Sequence, residues 1–159
     1  MTIKFLFIMI SCCVWWAGCR DAPDDHDSIM SAFADYLHSD IGLEIPRVRH
    51  YWFLVPATGC SGCSMFMADV YGNLPEAVKG TKATMILSRT ARMVLGIDSS
   101  KGCRVDNADK LDRLAIAADG AVLLVTENGE STLKLAADEQ SSPLIRQIVD
   151  SLKAVAVED

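Results

Sequence analysis

The sequence predicts an α/β domain in which helices flank a central mixed sheet of about four strands. An apolar aromatic run at 50–55 stands just before a Cys-x-x-Cys motif at 60–63, and a helical pattern follows the motif. A second apolar run, at 83–88, comes after that helix and predicts a second strand. Two strand patterns joined through Asn128-Gly129 predict a hairpin ahead of a C-terminal amphipathic helix.

The first half of the domain is predicted to run helix, strand, helix, strand. Ser28 is a suitable N-cap for a helix whose apolar residues recur at helical spacing as far as Leu37. The run at 50–55 is apolar on both faces, which is typical of a central strand covered on both sides. The helix after the two cysteines is expected to break near Gly72 and to resume from Pro75 to Gly80.

The second half of the domain contains shorter elements and ends with the longest helical pattern. Turn residues separate the strand patterns, and Ser142-Pro143 favours a helix start. The predicted elements are, in order, a strand at 83–88, a helix at 89–97, a short helix at 109–114, hairpin strands at 121–126 and 131–135, and a helix from Ser142 onward.

The N-terminus has the pattern of a signal sequence. Lys4 supplies one positive charge, and an apolar stretch at 5–16 follows, interrupted only by Ser11. At about 1.5 Å per helical residue this stretch is too short to cross about 30 Å of hydrocarbon. We therefore expect residues 1–18 to be a removable signal peptide.

The end of that segment, Trp16-Ala17-Gly18-Cys19, resembles the lipobox of bacterial lipoproteins. In that class of protein the cysteine is lipidated and becomes the mature N-terminus, so the resemblance implies a lipid on Cys19 and attachment to a membrane without a spanning helix. The sequence departs from the usual pattern at Trp16, where an aliphatic residue is expected. An ordinary secretory signal with a coincidental cysteine is the alternative.

Residues 19–27 are predicted to form an acidic tether between Cys19 and a single domain at 28–159. The stretch carries four aspartates and no apolar periodicity. Acidic residues soon after a lipidated cysteine resemble signals that sort some lipoproteins to the outer membrane or cell surface. These features together predict a protein of the cell envelope, attached through lipid to the outer membrane on its periplasmic or surface face.

The net charge of −6 argues against nucleic acid as a partner and against electrostatic binding to anionic lipid. Of the six cysteines, Cys12 and Cys13 fall in the predicted signal peptide and Cys19 would be acylated. Three remain in the exported domain, Cys60, Cys63 and Cys103. In an oxidising compartment a close pair of thiols is either a lasting disulfide or a catalytic one that a partner keeps reduced.

The order of elements, with Cys-x-x-Cys at a strand-to-helix junction and a hairpin followed by a helix, resembles the thioredoxin-like fold of membrane-anchored bacterial redoxins. The resemblance implies a thiol-disulfide oxidoreductase in which Cys60 attacks substrate disulfides and Cys63 resolves the mixed disulfide. Thr58, Gly59 and Ser61 would shape access to the sulfurs. The implied partners are protein thiols or disulfides and a separate redox partner, with no cofactor and no metal.

The sequence departs from the thioredoxin-like pattern at three places. The proline expected before the hairpin is missing from Ala117-Ala118-Asp119-Gly120-Ala121. Gly59 replaces the usual tryptophan before the first cysteine, and Ser61-Gly62 places no cation between the thiols. The strand at 51–55 has no acidic residue to accept a proton. Stabilisation of a Cys60 thiolate is therefore expected to depend on the helix N-terminus.

Several alternatives stay open on the sequence alone. A non-catalytic, lipid-anchored interaction module would keep Cys60 and Cys63 as a structural disulfide. A metal site could combine the three thiols with His38 or His50, although the regular ligand spacing of such sites is missing.

Two further questions concern single thiols. A peroxidase would use Cys63 as the attacking thiolate, but such enzymes carry threonine where Cys60 stands. Cys103 could form a mixed disulfide with a partner, pair with Cys60, or be an inert buried residue.

Overall fold

The computed structural model describes residues 25–97 and 102–158. They form four helices and five strands, joined by turns and short irregular segments. The helices are α1 (Asp25–Tyr36), α2 (Ser61–Gly72), α3 (Arg89–Leu95) and α4 (Ser142–Glu158). The strands are β1 (His50–Val55), β2 (Ala83–Ser88), β3 (Cys103–Asp106), β4 (Val122–Glu127) and β5 (Glu130–Ala136).

The five strands form one mixed sheet in the order β3-β2-β1-β4-β5. β1 runs parallel to β2 and β2 runs parallel to β3, whereas β4 is antiparallel to both β1 and β5. The central strand β1 leads into the Cys-x-x-Cys motif. This topology confirms the predicted α/β class, in which helices flank a mixed sheet.

Two apolar layers cover the sheet, one on each face. On one face, α2 and α4 pack against alternate residues of the strands, with Met67, Tyr71, Ile145 and Val149 buried among them. On the other face, residues of α1 pack around Trp52 together with two short 3₁₀ turns, Lys110–Arg113 and Ala115–Ala117. The central strands are covered on both sides, as their uninterrupted apolar runs predict.

The hairpin turn is as predicted. Asn128 and Gly129 have φ angles of 56° and 87°, the left-handed values that a two-residue type I′ turn requires at both positions. They join β4 and β5 directly, and this pair of strands fixes one edge of the sheet.

Residues 75–80 do not resume the helix after Gly72, so that part of the prediction is wrong. The amides of Val78 and Lys79 both donate to the carbonyl of Pro75, which makes a single turn. Lys79 then pairs with Ala83 in an isolated parallel bridge, and its buried ammonium donates to the carbonyl of Gly72 at 3.0 Å. The side chain of Lys79 therefore satisfies a carbonyl at the end of α2, and Gly80 turns the chain into β2.

The other differences concern element ends and one additional strand. α1 begins at Asp25, three residues before the predicted Ser28, and continues into a wide π-helical turn, Leu37–Ile41. The edge strand β3 raises the strand number to five. Its four residues alternate apolar and polar, but the run is too short to indicate a strand by itself, and the strand forms because β2 offers an unpaired parallel edge.

The predicted signal peptide at 1–18, the lipidation residue Cys19 and most of the tether lie outside the described residues. Within the described ranges, none of the helices combines the length and apolar character needed to cross a membrane.

His50 gives a pH-dependent prediction for stability. Its side chain is buried and lies 3.0 Å, from Nε2 to Oγ1, from Thr84. Burial lowers the pKa of His50 from 6.5 to about 4, partly offset by the backbone of Thr81. Between pH 4 and pH 6.5 the imidazole of His50 is therefore protonated in the unfolded chain and neutral in the folded chain.

We accordingly expect the free energy of unfolding to fall by up to about 3 kcal/mol as the pH drops from 6.5 to 4. Urea unfolding at half-unit pH steps measures the slope. His50→Gln should flatten it in this window, whereas the matched control His38→Gln, at an exposed histidine, should leave it unchanged. Equal slopes in the wild type and His50→Gln would contradict the prediction.

Candidate functional site

Cys60 caps the N-terminus of α2 with its own sulfur. Its backbone is extended, with φ −78° and ψ 123°, and Sγ accepts a hydrogen bond from the amide of Cys63 at 3.3 Å. The thiol therefore occupies the place that a serine or aspartate side chain takes in an ordinary helix cap. Because free amides and the positive end of the helix dipole point at this position, negative charge on the sulfur is stabilised there.

The two thiols differ in exposure. Cys60 is exposed, and Cys63, one turn into α2, is half-buried and packs against the apolar cluster beneath the helix. A large partner can therefore reach Cys60 more readily than Cys63, and a side-chain hydrogen bond joins the two thiols.

The thiols also differ in acidity. The thiol of Cys63, followed by the amide of Cys63, stabilises the thiolate of Cys60 and lowers its pKa. The amide of Gly62 acts in the same direction, and slight desolvation opposes both. The pKa of Cys63 is raised to about 11 by its hydrogen bond to Cys60, by burial and by the negative charge of Cys60. The first proton to leave the pair therefore leaves from Cys60.

Gly59 lies directly against the loop that precedes β4. Gly59 has φ +101°, and a Cβ added to it would lie 2.8 Å from the Cα of Gly120, whose own φ is +114°. Only glycine allows both the left-handed backbone and this close approach. The carbonyls of Thr58 and Asp119 border the same contact.

This glycine contact stands where the resemblance led us to expect a proline. The described residues contain no cis peptide bond. Here the loop at 117–121 contacts Gly59, the residue before the first cysteine, through the backbone of Gly120, and both Ala117 and Gly120 are buried. The replacement of the usual tryptophan by Gly59 and the loss of the proline are thus linked, because each glycine makes room for the other.

A small groove opens beside Cys60, between the start of α2 and the face of α3. Its volume is about 70 Å³. Of the predicted access residues, Gly59 and Ser61 line this groove, whereas Thr58 is exposed and does not line it. The groove is lined by Pro56, Ala57, Gly59, Ser61, Ser64, Thr90, Ala91, Val94 and Leu95.

Asp138 has a small electrostatic effect on the site, and it was not predicted from the sequence. It follows β5, and its carboxylate accepts a hydrogen bond from the amide of Ser141 at 2.7 Å, which lowers its pKa. Its negative charge contributes to the raised pKa of Cys63. The thioredoxin-like pattern places an acidic residue on the strand at 51–55, whereas Asp138 follows the last strand of the sheet. The available signal was an aspartate three residues before Ser141, at the start of a helical pattern.

Cys103 lies apart from the pair. It is buried near the beginning of β3, opposite Met85 of β2, and Met85 in turn lies opposite Phe53 in the middle of β1. Two strand spacings of about 4.8 Å therefore separate Cys103 from β1. Cys60 lies beyond the far end of β1, so a Cys60–Cys103 disulfide would require the sheet to rearrange.

The histidines considered as metal ligands are also distant from the thiols. His50 is buried at the start of β1, the opposite end from Cys60, and His38 is exposed after α1. Among residues 25–97 and 102–158, no group of three or more His, Cys, Asp or Glu side chains is arranged to hold a metal ion.

Comparisons with known proteins provide only a distant structural likeness. No family model and no curated protein matches the chain. The chain is similar to the solution structure of an uncharacterized thioredoxin-like protein from Porphyromonas gingivalis, with 15% sequence identity and a TM-score of 0.42. That alignment covers 70% of this chain and 80% of the other.

Proposed function

We propose that this protein is a thiol-disulfide oxidoreductase with Cys60 as the nucleophile and Cys63 as the resolving thiol. The observation that carries the proposal is that both the amide and the thiol of Cys63 face the exposed sulfur of Cys60. This arrangement lowers the pKa of the accessible thiol and raises that of the sheltered one. Such an asymmetry suits stepwise disulfide exchange.

In the reducing direction the reaction has two steps. The Cys60 thiolate attacks one sulfur of a substrate disulfide, which forms a Cys60–substrate disulfide and releases the other substrate sulfur as a thiolate. Cys63 then loses its proton and attacks the sulfur of Cys60, which releases the second substrate thiolate. Two electrons have passed to the substrate, and the protein holds a Cys60–Cys63 disulfide.

The reverse sequence oxidises a substrate dithiol, and a second redox protein must return the pair to its starting state. For net reduction the second protein is a dithiol donor. Attack by Cys63 requires its proton to be removed. The neighbouring Cys60 and burial disfavour a lasting negative charge on Cys63, and the carboxylate of Asp138 adds a smaller effect in the same direction.

The proposed location is the cell envelope, with the domain attached to a membrane through lipid on Cys19. Trp16-Ala17-Gly18-Cys19 after a charged and apolar N-terminus supports this. Mass spectrometry of the mature protein tests it, since a lipidated N-terminal Cys19 is expected and an unmodified cysteine would refute it.

The order of thiol reactivity tests the proposed chemistry. We expect the reduced protein to be alkylated first at Cys60, because the thiol and amide of Cys63 lower the pKa of Cys60. Cys63 should be labelled more slowly than Cys60, because burial and the neighbouring Cys60 raise its pKa while Cys60 is unmodified. Timed alkylation followed by peptide mapping measures both residues.

Cys103→Ser is the control, because Cys103 is buried and apart from the pair, and it should not change the Cys60 profile. Preferential labelling of Cys63, or no labelling before unfolding, would contradict the assignment. A reduction potential below about −300 mV for the Cys60–Cys63 pair would favour a structural disulfide in an interaction module.

A further inference from the structure

Two carboxylates from one turn hold the two opposite walls of the groove beside Cys60. On the first wall, Asp112 Oδ1 accepts a hydrogen bond from the amide of Ala57 at 2.8 Å. On the second wall, Asp109 accepts hydrogen bonds from the amide of Thr90 at 3.1 Å and from its hydroxyl at 3.2 Å. Ala57 and Thr90 both line the groove.

The first wall carries the nucleophile. β1 ends at Val55, and Pro56 has no amide hydrogen, so Ala57 provides the first amide of the segment that connects the strand to Cys60. Asp112 lies 55 positions further along the chain, and its contact with Ala57 is therefore a tertiary one. The position of this connecting segment determines where Cys60 enters the cap of α2.

The second wall is the start of α3. Ser88 caps this helix from within by accepting a hydrogen bond from the amide of Ala91 at 3.1 Å. Asp109 binds the adjacent amide of Thr90 from outside, and it also forms an ion pair with Arg89 at 3.5 Å. The first turn of α3 is thus attached to the same segment that holds Ala57.

The segment that supplies both carboxylates is itself firmly held. The buried carboxylate of Asp106 accepts hydrogen bonds from the amides of Ala108 at 3.0 Å and Leu111 at 2.6 Å. Leu111 is fully buried, and Asp109 has φ +51°, a left-handed value that residues other than glycine adopt only where their surroundings impose it. Because the backbone of Asp109 is strained and Leu111 is buried, this turn has one fixed conformation. It therefore holds the carboxylates of Asp109 and Asp112 at a set distance from each other.

We propose that Asp112 and Asp109 are positioning residues for Cys60, and that together they fix the width of the groove and the geometry of the Cys60 cap. Asp112 acts through the amide of Ala57, and Asp109 acts through Thr90. Their effect on disulfide exchange rests on the proposed function. Their effect on the Cys60 cap does not rest on the proposed function, because the alkylation rate of the Cys60 thiol measures it directly.

The test compares Asp112→Ala with Asp112→Asn. Asparagine keeps an oxygen that can accept from Ala57 but removes the charge, whereas alanine removes both. We expect the alkylation rate of Cys60 at pH 7 to fall about tenfold in Asp112→Ala, because a loosened cap stabilises the thiolate less and its pKa rises. Asp112→Asn should stay within about twofold of the wild type.

Hydrogen exchange of the Ala57 amide gives a second measurement, which does not depend on thiol chemistry. It should become about tenfold faster in Asp112→Ala and should be unchanged in Asp112→Asn. All rates are taken well below the thermal midpoint of each variant. Asp150→Ala is the matched control, since Asp150 is an exposed aspartate of α4 that is paired with Lys153, and it should change neither measurement.

The role of Asp109 is tested in the same way. Asp109→Ala should speed hydrogen exchange of the Thr90 amide, and Asp109→Asn should leave the exchange rate unchanged. The proposal is overturned if the alanine variants match the wild type in both measurements. It is also overturned if Asp112→Asn is as impaired as Asp112→Ala, which would assign the effect to charge. If the wild type reduces no disulfide, the proposed function is wrong. The alkylation rate of Cys60 and the exchange rates of the two amides would still decide whether Asp112 and Asp109 are positioning residues.

Discussion

Replacing Cys63 by serine should convert the protein into a trap that holds its substrate on Cys60 as a mixed disulfide. Attack by Cys60 is retained, but the intramolecular attack that releases the substrate is lost. A neighbouring thiol on the same helix turn has an effective concentration far above that of a thiol in solution. We therefore expect turnover to fall by about 100-fold or more, with substrate accumulating in the trapped form.

Reduction of a protein disulfide with excess dithiol measures the turnover, and non-reducing electrophoresis with mass spectrometry measures the trapped species. Two controls separate the roles of the thiols. Cys60→Ser with Cys63→Ser should trap nothing, and Cys103→Ser should turn over like the wild type because Cys103 lies two strands away from β1. Trapping through Cys63 in a Cys60→Ser variant would reverse the assigned roles. Recovery of no specific partner on Cys60 would favour the non-catalytic interaction module.

Replacing Trp52 by alanine should cause the largest loss of stability among single core substitutions. Trp52 is 1% exposed, lies edge-on to Phe33 with 5.7 Å between ring centroids, and donates its indole N–H to the Thr126 hydroxyl at 2.9 Å. The substitution opens a large cavity between α1 and the sheet, and it leaves the buried hydroxyl of Thr126 without its donor. We expect a loss of about 4 kcal/mol in the free energy of unfolding.

Urea unfolding of Trp52→Ala, Trp52→Phe and Thr126→Val separates these contributions. Phenylalanine keeps most of the packing and loses the hydrogen bond, so Trp52→Phe should lose about 1 to 2 kcal/mol. Val48→Ala is the control, because Val48 is 69% exposed, and it should change stability by less than about 0.5 kcal/mol. A loss below about 2 kcal/mol in Trp52→Ala would contradict this account of the α1 layer.

The site differs from the thioredoxin-like pattern in a coordinated way. The sequence shows a missing proline at 117–121 and a glycine before the first cysteine as two unrelated departures. In the structure they are the two sides of one contact, in which Gly59 and Gly120 meet through their backbones. The loop therefore reaches the residue before Cys60, and it presents main chain there instead of a proline ring.

The local sequence was sufficient to predict the elements that carry the thiols. Strong apolar runs defined β1 and β2, the Asn128-Gly129 pair defined the hairpin, and helical spacing defined α4. The single turn at 75–79 and the edge strand β3 were not predictable in this way. The first depends on a contact between Lys79 and Gly72, and the second depends on pairing with β2.

The sequence alone determined that Cys60 and Cys63 stand at a strand-to-helix junction within an α/β domain, because strand and helix periodicity and the cap position are local properties of the chain. Only the tertiary structure decided that Asp112 lies against Ala57, that Asp138 acts on Cys63 and that Cys103 lies apart from both thiols. These relations join residues up to 75 positions apart. They arise because the sheet brings distant turns together at the end of β1. Local sequence patterns do not predict which turns meet there.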